Sequence, residues 1–351
     1  MHSVVKDGIQ VPMTISVAMA TYNGERFIEE QLTSILEQTL PPDEIVVCDD
    51  SSTDATFHVV EGVLERYAVR SRVFRTSANV GVTRAFEASL GETTGHVVFL
   101  ADQDDVWYPN KIEAVMNAFE QWPHSWLVIH DIDYCDAGLR PIGQSKLERF
   151  AALGRPLDSY VTGMATAVKR DLLNTAFPIP KTLTSSHDNW LHWIALATQT
   201  RSILHSSLAA HRRHASNATG VRGLNLPRVM TTDDASPLSA TALQQRLENL
   251  RQRRRIFEGH LQRAEAERDW VHRVGHDLVH DGVITLEELR ALTRRTASSL
   301  MRLQQRVELL ARSRSSRLRG AFKLAREGGY ESLSQVLGDL LAPTETSSQR
   351  S

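Results

Sequence analysis

The stretch VVFLADQDDVWYPNKIE, residues 97–113, runs apolar to Ala101 and then sets three carboxylates, Asp102, Asp104 and Asp105, within four positions. An unbroken apolar run of this kind suits a strand buried in the middle of a sheet. Past the acids, Pro109 opens a helix in which Ile112, Val115, Met116 and Phe119 recur at helical spacing. The unit is therefore strand, acidic loop, helix. Carboxylates this crowded repel one another, so the loop needs a cation or a set of donors to offset them. An EF-hand is excluded, because Val106 and Trp107 stand where its loop requires an Asx residue and a glycine.

The same alternation precedes it. ISVAMA, residues 15–20, reads as a buried strand, with Asn23 placed to cap a helix that carries Ile28, Leu32, Ile35 and Leu36 on one face. EIVVCDD, residues 44–50, is a second strand, ending on Asp49 and Asp50. The helix start SSTD follows it, with a face of Phe57, Val60, Val63, Leu64 and Tyr67. A short strand at Val73 and Phe74, the loop TSANVGV and a helix near Thr83 to Leu90 complete the run. Strands alternating with helices predict an α/β fold, a mostly parallel sheet with helices on both faces. Ligands of such sheets bind beyond the carboxyl ends of the strands, where both acidic clusters lie.

Composition narrows the partners. A net charge of -2 over 351 residues gives no global field for a polyanion, so no nucleic acid is expected. Cys48 and Cys135 are the only cysteines, too few for a disulfide framework or a structural zinc site. No GxxxxGK[ST] loop, HExxH or GxGxxG occurs, and no repeat of fixed period. No apolar run approaches the roughly 20 residues of a bilayer span, and the start lacks a signal-like apolar stretch. A cytoplasmic location is expected, at the inner face of the membrane if the chain touches lipid.

Past Pro227 the character changes. Residues 1–13 read as an N-terminal tail, 226–240 as a linker, 241–330 as a helical region and 331–351 as a partly disordered tail. Leu243, Leu247, Leu250, Phe257, Leu261, Ala264 and Val271 follow steps of three and four, interrupted at Arg254 and Arg268. Thr285 and Glu288 form a capping box for a helix carrying Leu289, Leu292, Leu300, Leu303, Val307 and Leu310. These helices either pair within the chain or join two chains as a homodimer. Arg312, Arg314, Arg317, Arg319, Lys323 and Arg326 surround Leu318, Phe322 and Leu324, a pattern of peripheral contact with anionic lipid or of a solvated helix face.

Taken in order, SVAMATYNGERFIEEQLTSILEQT, EIVVCDDSSTD, NVGVTRAFEASL, VVFLADQDDVWYPNKIE and HDNWL resemble the consecutive motifs of family 2 glycosyltransferases, which have a GT-A fold. The resemblance covers about residues 14 to 220, within a domain of 14–225. HDNWL followed by HRRHASNATG is similar to the rhamnosyltransferase-like branch that builds bacterial surface polysaccharides.

What the resemblance implies is a metal-dependent, inverting transferase. It would move a sugar from dTDP-rhamnose or a UDP-sugar to a hydroxyl of a glycan or lipid-linked acceptor, with Mg²⁺ or Mn²⁺ as cofactor. Thr21, Tyr22, Asp49 and Asp50 would cradle base and ribose. Asp102 and Asp104 match the family's Asp-x-Asp, the first at the ribose or the ion and the second as metal ligand, with Asp105 a second contact. Asp188 matches the late acidic residue that serves as base. Arg212 and Arg213 would meet the diphosphate, and His214 would complete the metal shell. Gly163 and Met164, with His187 and Trp190, would form the wall between donor and acceptor. His211 and Arg213 depart from the Tyr and Gln often found in that branch. A nucleotidyltransferase also places metal-bound carboxylates on such a sheet, but ATYNGERF is a poor version of its glycine-rich loop. A non-catalytic nucleotide-sugar-binding protein of the same fold is separated only by turnover.

Overall fold

The computed structural model describes residues 3–6, 9–183, 186–214, 240–310 and 324–325, with the backbone alone for 3–11, 240–257 and 309–310. The chain divides into two units, Met1–Ile179 with Ser186–Pro227, and Pro180–Ser185 with Arg228–Ser351.

The first unit opens with a hairpin of β1, Ser3–Lys6, and β2, Ile9–Pro12. Alternation then follows as the apolar periods predict: β3 Ile15–Thr21, α1 Ile28–Leu36, β4 Glu44–Asp49, α2 Thr56–Leu64, β5 Arg70–Arg75, α3 Val82–Glu92 and β6 Val97–Ala101. β7, Val106–Trp107, lies within the acidic motif itself, and α4 is Lys111–Gln121. β8 Leu127–Cys135, α5 Lys146–Ala152, β9 Thr166–Lys169, α6 Arg170–Ala176, α7 His187–Ala197 and β10 Arg201–Arg212 complete the unit.

One eight-stranded sheet runs β5-β4-β3-β6-β9-β8-β10-β7. β5, β4, β3 and β6 are parallel, as are β8 and β10, whereas β9 lies antiparallel between β6 and β8. β3, β4 and β6 are buried along almost their whole length, so the apolar runs read from the sequence are the centre of the sheet. β7 pairs antiparallel with the end of β10, Trp107 opposite Ala209 and Val106 opposite Ala210. That short pairing carries residues 211–214 to the acidic loop.

One expectation fails locally. Asn23 does not cap α1, which begins at Ile28 behind Phe27. Instead Asn23 holds φ 49°, and its Oδ1 accepts the Thr53 N–H at 2.9 Å, tying the β3 loop to the β4 loop. A short polar side chain that tolerates the left-handed region suits this task.

The second unit contains α8, Ala240–His280, and α9, Leu286–Leu310, packed on each other. The capping box is present: Thr285 N donates to Glu288 Oε2 at 2.7 Å and Glu288 N to Thr285 Oγ1 at 3.2 Å. Ala264, Val271, Leu289, Leu292 and Leu300 of the expected faces are buried, while Val307 is exposed. The side chains of Leu243, Leu247, Leu250, Phe257 and Leu310, residues 226–239, Arg312 through Lys323, Arg326 and residues 331–351 lie outside the described residues. Among the described residues no helix is long and apolar enough to cross a membrane.

Candidate active site

The carboxyl ends of β3 and β4 are bound into one loop system. Asp49 is fully buried and accepts four donors: Thr21 Oγ1 at 3.1 Å, Ser52 Oγ at 2.5 Å, Ser52 N at 3.0 Å and Arg75 Nε at 2.9 Å. A carboxylate has about four lone-pair sites, so these fill it. The expected nucleotide contact through Asp49 is therefore corrected: Asp49 and Thr21 shape the loop. Asp50 accepts Thr76 Oγ1 and Val80 N on Oδ1 and Gly81 N on Oδ2, which leaves acceptor capacity on Oδ2. Tyr22, just past the end of β3, is 45% exposed. Gln103 joins this end to the acidic loop, accepting from Tyr22 N at 2.8 Å and donating to Tyr22 O at 3.0 Å. A Cβ on Gly24 would fall 2.4 Å from Gln103 Oε1, so the glycine makes room for that bridge.

The acidic loop is held from behind by β10. Arg212 N donates to Asp105 Oδ1 at 2.9 Å, and Arg212 Nε to the Asp104 carbonyl at 2.9 Å. The same guanidinium donates to Ala137 O and Glu30 Oε2, both at 2.6 Å, and lies 4.6 Å over the Phe27 ring. Sequence reasoning aimed Arg212 at a diphosphate, but its side chain is only 3% exposed and committed to the protein. The correction follows from the β7–β10 pairing, which turns residue 212 inward. Arg213 N donates to Cys135 O, and its guanidinium lies 5.8 Å from the Tyr134 ring. His214 Nε2 meets Asp104 Oδ2 at 2.9 Å, and its ring packs on Phe27 at 4.7 Å. His211 Nδ1 stands 3.2 Å from Asp105 Oδ1.

Lys111, absent from the sequence-based candidates, is a fully buried lysine at the start of α4. Its Nζ donates to Met164 O at 2.7 Å and sits 3.6 Å from the Trp107 ring centroid. Burial pushes its pKa well below the ordinary lysine value, with Asp105 and Asp102 opposing. Burial, then Asp105, Asp104 and Asp188, hold the Asp102 carboxyl well above the usual carboxylate range, against the pull of Lys111. Burial and Asp105 likewise raise Asp104, with His214 opposing.

Asp188 lies close enough to enter that balance. It is the second residue of α7, and its Oδ1 accepts Asn189 N at 2.8 Å. Burial works to raise its pKa, but His187, the Ser186 hydroxyl, His192 and the Asn189 N–H outweigh it and leave the pKa lowered. Two neighbouring carboxylates thus have their pKa values driven apart, Asp102 toward the protonated form and Asp188 toward the ionised one. Gly163 faces Asp188 and His187. Met164 is buried and contributes its carbonyl to Lys111. Trp190 is corrected to the core: it is 1% exposed, donates Nε1 to Ala176 O at 3.1 Å and stacks on Trp193.

Among the described residues no three His, Cys, Asp or Glu side chains converge as a ready-made metal cage. Asp104 with His214 is a two-residue donor set, and Asp105 Oδ2 is a buried oxygen with no hydrogen-bond partner. Such a set fits a hard divalent ion that keeps water and substrate oxygens in most of its shell.

Residues 16–176 match the model of Glycosyl transferase family 2. That segment is of the family 2 type in sequence and GT-A in fold. An uncharacterised glycosyltransferase of Nostoc sp. is 33% identical over 178 residues, 48% of this chain and 54% of that protein. In Escherichia coli, the UDP-Glc:α-D-GlcNAc-diphosphoundecaprenol β-1,3-glucosyltransferase WfgD is 33% identical over 99 residues, 28% of this chain and 38% of that protein. The chain thus spans about half or less of these relatives. Residues 1–349 of S. aureus TarS share the fold, with a TM-score of 0.51 at 18% identity over 93% of this chain and 80% of that one.

Proposed function

We propose that this chain is a metal-dependent, inverting glycosyltransferase using a nucleotide-diphosphate sugar. One observation carries the reading: the acidic loop, His214 from 110 residues further on and Asp188 of α7 all meet at the carboxyl end of the family 2 sheet. Asp50 and Tyr22 flank the crevice where base and ribose bind, and Arg213, whose guanidinium lies over the Tyr134 ring, is the arginine for the diphosphate. Mg²⁺ or Mn²⁺ on Asp104 and His214, with Asp102 and Asp105 beside it, would supply Lewis-acid stabilisation of the leaving diphosphate.

Asp188, its carboxylate held by the Asn189 N–H and the Ser186 hydroxyl, accepts the proton of the acceptor hydroxyl as that oxygen bonds the anomeric carbon. The bond from that carbon to the diphosphate oxygen breaks, and its electron pair leaves with the nucleotide. Attack opposite the leaving group inverts the anomeric configuration. The name of the E. coli relative supports a UDP-sugar donor and a lipid-diphosphate-linked glycan acceptor. The resemblance of HDNWL and HRRHASN to the rhamnosyltransferase-like branch supports dTDP-rhamnose as the competing donor.

Calorimetric binding of dTDP, UDP and GDP, each with Mn²⁺, with Mg²⁺ and with EDTA, tests the reading. Tight binding of one diphosphate that EDTA abolishes is expected, lost in Asp104→Ala. Asp188→Ala should keep that binding and lose transfer. Failure of every nucleotide to bind would return the acidic loop to a structural role.

A further inference from the structure

His187 is 4% exposed, yet neither ring nitrogen has a hydrogen-bond partner. Its ring is clamped by Phe86, stacked at 3.9 Å between centroids and 22° between planes. A buried imidazole normally satisfies at least one nitrogen, since an unpaired buried polar group costs about 1–3 kcal/mol. The nitrogen that meets this cost has an identifiable outlook. A Cβ built on Gly163 would lie 3.6 Å from His187 Nε2 and 3.6 Å from Asp188 Oδ2. Both polar atoms therefore border the position that a side chain at residue 163 would fill.

We propose that His187 Nε2 and Asp188 Oδ2 form a two-point seat for the acceptor hydroxyl, with a water in its place when no acceptor is bound. The inference rests on the glycosyltransferase reading and deepens it. A hydroxyl has one proton and two lone pairs. Its proton points to Asp188 Oδ2, the atom set to take it, while a lone pair accepts the His187 Nε2–H and fixes the oxygen. Burial lowers the His187 pKa to about 4, with Asp188 opposing, so the ring is neutral and carries one N–H and one acceptor nitrogen. His187 is thereby a positioning residue for the nucleophile.

Gly163→Ala supplies the decisive variant. The added methyl meets its neighbours at ordinary contact distance, 3.6 Å at the nearest, and residue 163 has no positive φ, so the fold accommodates it. It occupies the space reserved for the oxygen. His187→Phe keeps the stack on Phe86 and removes both nitrogens. A high-resolution crystal structure of the full chain should show an ordered water within about 3 Å of both atoms, absent in Gly163→Ala. No water there in the wild type overturns the seat.

Hydrolysis of UDP-glucose, UDP-GlcNAc and dTDP-rhamnose, with water as acceptor, supplies the second arm. His187→Phe should hydrolyse the accepted donor about tenfold more slowly, the effect of one lost hydrogen bond, and Gly163→Ala, whose methyl fills the seat, more slowly still, with nucleotide binding unchanged in both. Wild-type hydrolysis rates in both variants overturn the positioning role. If the wild type hydrolyses none of the three, the crystallographic arm alone decides the seat, and the nucleotide-binding test above decides the glycosyltransferase reading.

Discussion

Arg212 joins three parts of the site through one side chain: the Asp104 carbonyl, the Ala137 carbonyl and the Glu30 carboxylate. Glu30 is half exposed, so that ion pair contributes little by itself. The two carbonyls matter more, because Arg212→Met leaves them without that donor. The expected loss is about 2 kcal/mol of stability, read by urea denaturation, with the acidic loop loosened as a consequence. Arg213→Met should instead weaken nucleotide binding, because its guanidinium is the one proposed to meet the diphosphate. An Arg212→Met protein of unchanged stability but weaker nucleotide binding would restore the diphosphate role to that residue. Neighbouring arginines in HRRH are indistinguishable in sequence, and one strand register step separates an inward from an outward side chain. Lys111, Gln103 and Phe27 were illegible for a similar reason, because their partners come from distant parts of the chain.

At the level of elements, the sheet is sensitive to backbone approach at the start of β6. A Cβ on Gly95 would meet Ser16 Oγ at 2.5 Å and Ser16 N at 2.7 Å, and the backbone atom cannot rotate away. Gly62, in α2, has nothing within 4 Å of the same position. Opposite signs follow for one chemical change. Gly95→Ala should destabilise by about 1–3 kcal/mol through overpacking, and Gly62→Ala should stabilise by about 0.5–1 kcal/mol through helix propensity. Thermal and urea denaturation of the two variants checks both. β3, β4 and β6 were legible because their apolar runs are buried on both faces. β8 hides His130 and Asp131 in its core, with His130 Nδ1 paired to the Asp131 carbonyl and the Asp131 carboxylate accepting from Leu147 N and the Tyr160 hydroxyl, so its sequence looks too polar for a central strand. β10 is broken by two register shifts, and β7 has two residues, so neither leaves a period to read.

For the whole molecule, the two buried histidines of α7 set a dependence on pH. Burial lowers His187 to about 4; burial, with Arg201 next, lowers His192 to about 3. The unfolded chain protonates both near 6.5. Between 6.5 and these lower values the unfolded state binds protons that the folded state refuses, so stability rises with pH across that window. Asp102 and Asp104, raised in the folded state, contribute the opposite slope as pH climbs from the ordinary carboxylate range. A comparison of wild type with His192→Phe cancels those carboxylates, which both proteins share. The substitution removes the Thr166 Oγ1 partner of His192 Nε2, a cost that does not vary with pH. Lowering the pH from 7.5 to 5 should therefore narrow the stability gap in favour of the variant by about 2 kcal/mol, from about 1.4 kcal/mol per pH unit below 6.5. Urea denaturation at pH 5, 6, 7 and 7.5 measures the gap. Parallel curves would mean that His192 titrates alike in both states, and α7 would then carry its histidines at a wetter face than this packing allows.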